Sequence, residues 1–286
     1  MAETQPTIRH VSDTARWSAV YRARESERKD ALFNDPYARA LAGKRGEEIA
    51  SSLPFHEQNS WSWVARTWGF DKLIREQLAQ GTDLVINLAA GLDARPYRMD
   101  VPASLRWVEI DLPGILDYKE SILANDRPRC QLQQIRFDLA DAAKRRELLK
   151  DIVGSSKRAL IISEGLLVYL SAQQVGELAD DLAAIPAIQN WIIDIASPGL
   201  LEMLKKFTNA QFDSVVTPLQ FAPENGPDFF LPHGWKAVEI LSALKTAAKL
   251  KRLPKLMLKF FSLFPEHPTR MGKRPWSGFC LLGRNT

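Results

Sequence analysis

An α/β fold of the Rossmann-like kind, on a mostly parallel sheet of seven strands, is predicted by three observations. Short apolar runs rich in β-branched residues alternate with helical segments through the middle of the chain. The first run, Asp83-Leu-Val-Ile-Asn-Leu-Ala-Ala-Gly91, breaks into small residues that let a backbone turn sharply or approach a ligand. Gly91, Asp111, Asp138 and Glu164 then fall at or just past the carboxyl ends of successive predicted strands. That is the edge at which open α/β sheets bind their ligands.

The elements follow in order. Residues 11–50 read as helices, with Ala15, Ala19 and Ala23 forming a small-residue row suited to close packing. Asp35-Pro36 reads as a helix start and Gly43 as a stop. A helix over Glu57–Gln80 carries Arg66, whose neighbours one turn away are Trp63, Gly69 and Phe70, a setting that predicts partial burial. After the first strand, Asp93 reads as a helix N-cap with Pro96 in the first turn. The second strand, Trp107–Ile110, ends in Asp111. A helix is predicted over Lys119–Asn125, a strand over Gln131–Phe137 leading to Asp138-Leu139, and a helix over Ala142–Val153. A fourth strand, Arg158–Ile162, leads to Ser163-Glu164-Gly165. Ser171 and Gln174 form a capping box before the apolar row Val175, Leu178, Leu182 and Ile185. Trp191–Ile195, Gly234–Ile240 and Gly278–Leu282 complete the strands.

Composition narrows the class. The 286 residues are 45% hydrophobic and 25% charged, ordinary for a globular protein. No apolar run has the length of a membrane span, and Met1–Thr14 is polar, so no signal peptide is expected. Cys130 and Cys280 lack metal-ligand spacing and read as buried thiols, which places the protein in the cytoplasm and predicts no metal site. The net charge of +4 is uneven: the nine Lys and Arg of residues 241–276 face a single acid, Glu266. Basic residues interleaved with exposed aromatics, the mark of a nucleic-acid interface, are not evident.

The loop also selects among nucleotides. A dinucleotide site uses G-x-G-x-x-G to surround a pyrophosphate with backbone N–H groups. Here there is one glycine, and Asp93 stands where the phosphates would lie. S-adenosyl-L-methionine has an adenine and a ribose but no phosphate, and its sulfonium is positive, so it suits the loop better than NAD does. Asp111, twenty residues after Gly91, is spaced as the acid that binds ribose hydroxyls.

The motifs Asn87-Leu-Ala-Ala-Gly-Leu-Asp-Ala-Arg-Pro-Tyr-Arg98, Glu109-Ile-Asp-Leu-Pro113 and Glu164-Gly-Leu-Leu-Val-Tyr-Leu170 resemble those of the leucine carboxyl methyltransferase family. These are class I S-adenosylmethionine-dependent O-methyltransferases, a group that includes bacterial polyketide O-methyltransferases. Thr14-Ala-Arg-Trp-Ser-Ala19 and Phe33-Asn-Asp-Pro36 are similar to the bacterial branch, and the resemblance covers roughly residues 11–195. It implies that Gly91 approaches the methionyl part of the cofactor and that Asp111 holds the ribose. It implies that Asp138 and Leu139 hold the adenine, Arg66 the methionyl carboxylate, and Glu164 the region of the amine and sulfonium. Tyr169 would face the acceptor, and a second cation near the N-terminus would be Arg16 or Arg22. Taken singly, each residue has a plainer reading: caps for the aspartates, an ion pair for Arg66, a core tyrosine for Tyr169.

The expected activity is transfer of a methyl group to an oxygen of a small or polyketide-like acceptor, apolar and anionic, with a carboxylate favoured. A phenol or hydroxyl acceptor is the alternative within the class. An NAD-dependent oxidoreductase and a non-catalytic scaffold are the alternatives outside it. The chain is read as an N-terminal helical cover, residues 1–80, on a cofactor-binding core, residues 81–286. Insertions near 196–228 and 241–275 would shape the acceptor pocket. For the basic stretch, Leu253, Leu256, Met257, Phe260 and Phe264 recur at helical spacing among Lys251, Arg252, Lys255 and Lys259. Three readings stay open: an amphipathic helix packed on the sheet, a lid over the acceptor, and, least favoured, a membrane-surface helix.

Overall fold

In the computed structural model, which describes residues 11–52, 56–208, 218–254, 256–270 and 272–285, the apolar runs become one sheet. Its strands are β1 (Leu84–Leu88), β2 (Arg106–Asp111), β3 (Gln131–Arg136), β4 (Ala159–Ser163), β5 (Ile188–Ala196), β6 (Trp235–Ser242) and β7 (Ser277–Arg284). Their order is β3-β2-β1-β4-β5-β7-β6, so the predicted seven-stranded sheet is present. β1 to β5 run parallel, and β7 is antiparallel to both β5 and β6. The chain winds outward from β1 to β3, then returns to place β4 on the other side of β1. This reversal opens a crevice at the carboxyl ends of β1 and β4.

β1 and β4 are buried along their whole lengths because both faces of the sheet are covered. The strand period of two divides the side chains between the faces. Leu84, Ile86 and Leu88 join Ile161, Trp191 and Ile193 in one core, against α6 (Ala142–Val153) and α7 (Ala172–Ala183). Val85, Leu160 and Ile192 join Phe70, Leu73 and Ile74 of α3 (His56–Ala79) and Ala243 and Ala247 of α9 (Ala243–Lys249) in the other. A third cluster joins α1 (Val11–Ser26), α2 (Ala38–Ser52) and α5 (Pro113–Ile122) to the loop after β1 through Ala19, Leu41, Leu92 and Ile115.

The alanine row of α1 packs as its spacing predicts. Ala19 and Ala23 are buried, and a Cβ on Gly91 would stand 3.4 Å from that of Ala15. In α2, a Cβ on Gly46 would come within 3.0 Å of the Arg16 carbonyl oxygen, so glycine permits the close crossing of the two helices. The Ser171–Gln174 capping box opens α7.

Gly43 interrupts the helix as expected: with φ 58° it leaves the helical region and divides α2 into two helical parts at a kink. Three local expectations are corrected. Asp35 closes the turn before α2, accepting from the Tyr37 N–H at 3.3 Å through Oδ1 and from the Ala38 N–H at 3.2 Å through its carbonyl. α5 begins at Pro113 rather than Lys119, since proline at a first helical position loses no hydrogen bond. Ala94, not Asp93, is the N-cap of the short α4 (Arg95–Arg98).

Candidate active site

The loop after β1 is held in the left-handed region at Ala89 (φ 54°) and Gly91 (φ 52°). Such a φ is costly for a residue with a Cβ, so the surroundings must maintain it. Asp111, at the end of the neighbouring β2, does so: its Oδ2 accepts from the Gly91 N–H at 2.6 Å and its Oδ1 from the Leu112 N–H at 2.7 Å. A carboxylate has about four acceptor positions, so capacity remains for two hydroxyls of a ligand. Burial raises the Asp111 pKa, and the N–H groups of Gly91 and Leu112 oppose the rise. Leu112, which sequence reasoning passed over, is an apolar side chain 40% exposed at this same edge.

Asp138 lies two residues past the end of β3 and is exposed, its Oδ1 accepting from the Ala140 N–H at 2.9 Å. The Leu139 carbonyl accepts from Arg145 Nη1 at 2.7 Å. The four edge residues thus sit at the ends of four adjacent strands, in the order Asp138, Asp111, Gly91, Glu164.

Arg66 projects from α3 to this edge. Its Nε lies 3.1 Å from Glu164 Oε1, its Nη1 donates to Asp194 Oδ2 at 3.2 Å, and its Nη2 to Ser18 Oγ at 3.5 Å. The guanidinium packs against Gly165, where a Cβ would meet Nη1 at 3.4 Å. Burial disfavours its charge, but Glu164 and Asp194 outweigh that and raise its pKa. Asp194 was not among the residues expected here. It sits near the end of β5, where its Oδ1 accepts from the Gly165 N–H at 2.7 Å, and burial raises its pKa against the pull of Arg66. The signal was present in the sequence, an acid inside the apolar run Trp191-Ile-Ile-Asp194-Ile.

Behind this pair runs a ladder of alternating charges. Arg95, 2% exposed, donates to Asp71 at 2.7 Å, Asp93 at 3.0 Å and Glu164 at 2.7 Å. Arg98 holds Asp71 in a two-pronged contact at 2.7 and 2.8 Å. Arg22 donates to Asp35 at 2.8 Å and, through Nη2, to the Leu92 carbonyl at 2.6 Å. Asp93 therefore faces inward, accepting from Asn87, Arg95 and the Arg95 N–H, and braces the loop from beneath. Burial alone would raise the Asp71 pKa, but Arg98 and Arg95 overcome it and hold it at about 2. Because that folded value is depressed from 3.8, the associated stability is present above about pH 4 and lost as pH falls through about 2. Acid titration of stability should show this loss, roughly 2 kcal/mol, and the Asp71→Asn variant should lack it. An identical acid limb in both proteins would refute the assignment.

Tyr169 lies in a 3-10 turn (Leu167–Tyr169) following β4, its hydroxyl hydrogen-bonded to Thr14 and adjacent to Arg66. Burial raises its pKa; Thr14 and Arg66 oppose the rise. Thr14, Ala15 and Ser18 of α1 thus touch Tyr169, the Gly91 loop and Arg66, and α1 forms the outer wall of the site. Of the two candidates for the N-terminal cation, Arg22 braces the loop through Leu92, whereas the Arg16 guanidinium stacks 3.6 Å over the Tyr118 ring.

A cofactor of the expected kind fits these groups. Six carboxylates (Asp35, Asp71, Asp93, Asp111, Glu164 and Asp194) accompany five guanidiniums (Arg22, Arg66, Arg75, Arg95 and Arg98), leaving one negative charge in excess for a cationic ligand. The Arg66 Nε is buried and makes no well-directed hydrogen bond despite its nearness to Glu164, so it keeps a donor for an incoming carboxylate.

Residues 15–183 match the family model described as leucine carboxyl methyltransferase. A protein of Parafrankia provisionally named an S-adenosyl-L-methionine-dependent methyltransferase is 31% identical over 255 residues, 85% of this chain and 82% of that one. A provisionally so-named protein of Mycobacterium tuberculosis is 36% identical over 177 residues, 57% of this chain and 58% of its own length. The match therefore spans little more than half of the mycobacterial relative. Among solved structures, a methyltransferase assigned in Thermobifida fusca is similar in fold, with TM-score 0.57 and 17% identity over 100% of this chain and 97% of that one. A DUF574 family protein of Streptomyces avermitilis gives TM-score 0.59 at 12% identity, over 95% and 97% of the two chains. The fold is that of the class I methyltransferases, the NAD-dependent oxidoreductase alternative falls away, and the chain belongs to the leucine carboxyl methyltransferase family.

Proposed function

We propose that this S-adenosylmethionine-dependent methyltransferase transfers its methyl group to an oxygen of a small, apolar, anionic acceptor, with a carboxylate as the reacting group. The observation that carries the reading is the convergence of Arg66, Glu164 and Asp194 beside the Gly91–Asp111 loop at one sheet edge. When bound, S-adenosylmethionine supplies a methyl carbon on a positive sulfonium. The chain's work is then to bind, align and exclude water, because charge is neutralised along the displacement. Asp111 would hold the ribose hydroxyls, with Leu112 an apolar platform and Asp138 and Leu139 beside the adenine. Arg66 would pair with the methionyl carboxylate, Gly91 would admit the methionyl chain, and Glu164 would face the amine.

Tyr169 would border the acceptor. So would the segment near 196–228, whose Gln220 donates to the Tyr169 carbonyl at 3.1 Å. The segment near 241–275 meets it through the Arg274 carbonyl, which accepts from Ser197 Oγ at 2.7 Å, and through Pro268, packed against Gly226. Residues 1–80 would act as the cover. Glu164 and Asp194 are both engaged by Arg66, and a carboxylate acceptor, already ionised, requires no base. A phenol or hydroxyl acceptor is the second reading. Asp194, whose pKa is raised by burial, is the group that would receive its proton. A cytoplasmic location is part of the proposal, supported by two free buried cysteines, with the thiols of Cys130 and Cys280 pushed up to about 11 and about 12 by burial.

S-adenosylmethionine and its demethylated product should raise the thermal midpoint, by about 2.7 kcal/mol of stabilisation at a hundredfold excess over Kd, while NAD does not. With methyl-labelled cofactor and a library of apolar acids and phenols, label on a carboxylate should be released as methanol by mild alkali. Label that survives alkali would reject the carboxylate in favour of the phenol.

A further inference from the structure

α10 (Leu256–Phe261) and the turn after it expose Leu256 (82%), Phe260 (58%), Phe261 (50%), Leu263 (80%) and Phe264 (50%). Elsewhere among the described residues the exposed large apolar side chains, Leu112, Met203, Leu231 and Val238, are scattered singly. Of the predicted apolar row only Leu253 is buried with the core; Lys255 and the Met257 side chain lie outside the described residues. An amphipathic helix packed on the sheet would hide this face, so that reading fails for α10. The lid reading gains no support either. The grooves beside α10 are lined by Ala248, Leu256, Lys259 and Leu263 and by Lys245, Lys249 and Glu266, and include none of Arg66, Gly91, Asp111, Glu164 or Tyr169.

We infer that this face docks on the surface of an anionic lipid bilayer. A contiguous exposed apolar patch marks an interaction site. The phenyl rings of Phe260 and Phe264 stand edge to face at 5.1 Å, with Phe261 6.2 Å from Phe260, so the rings gather into one protruding knob. Exposed lysines 245, 249, 251 and 259 accompany it. The acid in this stretch, Glu266, is tied to Ser242 and Trp276, and Arg252 is taken by Glu25 and Asp30.

Charge complementarity selects the occupant. A second copy joined about a two-fold axis would bring these lysines against their own equivalents. The interface of an anionic bilayer accepts the apolar knob and the cations together, the rings entering the headgroup boundary while the lysines reach lipid phosphates. Among the described residues no helix is long and apolar enough to cross a membrane, so the contact is one of attachment to the surface.

Co-sedimentation with vesicles of phosphatidylcholine alone, and with about one-third phosphatidylglycerol, tests this. Binding should require the anionic lipid and weaken at least about tenfold as salt rises from about 0.1 to 0.5 M. Phe260→Ser with Phe264→Ser should abolish it. Lys249→Gln with Lys259→Gln should lower it, by about fivefold per lysine. Both double variants should keep the thermal shift produced by S-adenosylmethionine, which shows that they fold. Absence of binding to either vesicle, or binding indifferent to lipid charge and to the lysine changes, would overturn the inference. So would sedimentation velocity showing a dimer that the phenylalanine variant dissolves, since the patch would then be occupied by a second copy.

Discussion

Arg95→Ala should destabilise the protein by about 3–5 kcal/mol, with a fall in Tm on the order of 10 °C. The guanidinium is 2% exposed and bridges Asp71, Asp93 and Glu164. Its removal leaves three carboxylates crowded in a poorly solvated region, with Arg98, Arg66 and the more exposed Arg75 to offset them. A buried ion pair contributes little beyond what a well-packed apolar pair would, but breaking one side exposes the full cost of an uncompensated buried charge. Arg95→Lys should recover only part of the loss, because a single ammonium cannot reach three acids in a planar fork. Chemical denaturation with both variants measures the effect. A loss below about 1 kcal/mol for the alanine variant would mean that solvent, not Arg95, neutralises these acids.

Asp111→Ala should weaken S-adenosylmethionine binding by about 1.5–3 kcal/mol, or 10- to 150-fold, the usual loss for hydrogen bonds to a charged group. Two effects act in the same direction. The ribose acceptor disappears, and the Gly91 N–H loses the partner, at 2.6 Å, that keeps the loop in its left-handed turn. Asp111→Asn separates them, since its amide oxygen can still accept from Gly91 while the charge is gone. An intermediate affinity is expected from it in titration calorimetry. If the alanine variant binds as tightly as the parent, Asp111 belongs to the loop alone and the cofactor is held elsewhere.

The single glycine at residue 91, the acids Asp111 and Glu164, and the strands before them were legible because each depends on local pattern. An apolar run buried on both faces announces a central strand, and a polar residue at its carboxyl end lies at the ligand edge whatever the rest of the chain does. Asp194 obeys the same rule and was overlooked because a lone acid within an apolar run looks like a strand interior. Its meaning depends on Arg66, which lies 128 positions away. The same limit applies to Asp93, read as a helix cap from its neighbours and turned inward by Arg95 and Asn87.

By itself the sequence determined the sheet, the strand edge at which Gly91, Asp111 and Glu164 lie, and the family, since these follow from hydrophobic period, turn residues and motif. Only the tertiary structure decided which charges meet. The ladder from Arg22 through Asp35, Arg98, Asp71 and Arg95 to Glu164 joins residues brought together by helix packing, and no spacing rule encodes such partners. It decided likewise that the apolar row of α10 faces outward. Helical periodicity shows that a helix has an apolar side, but whether the core or the solvent meets that side depends on where Leu253 and Arg252 anchor the preceding turn.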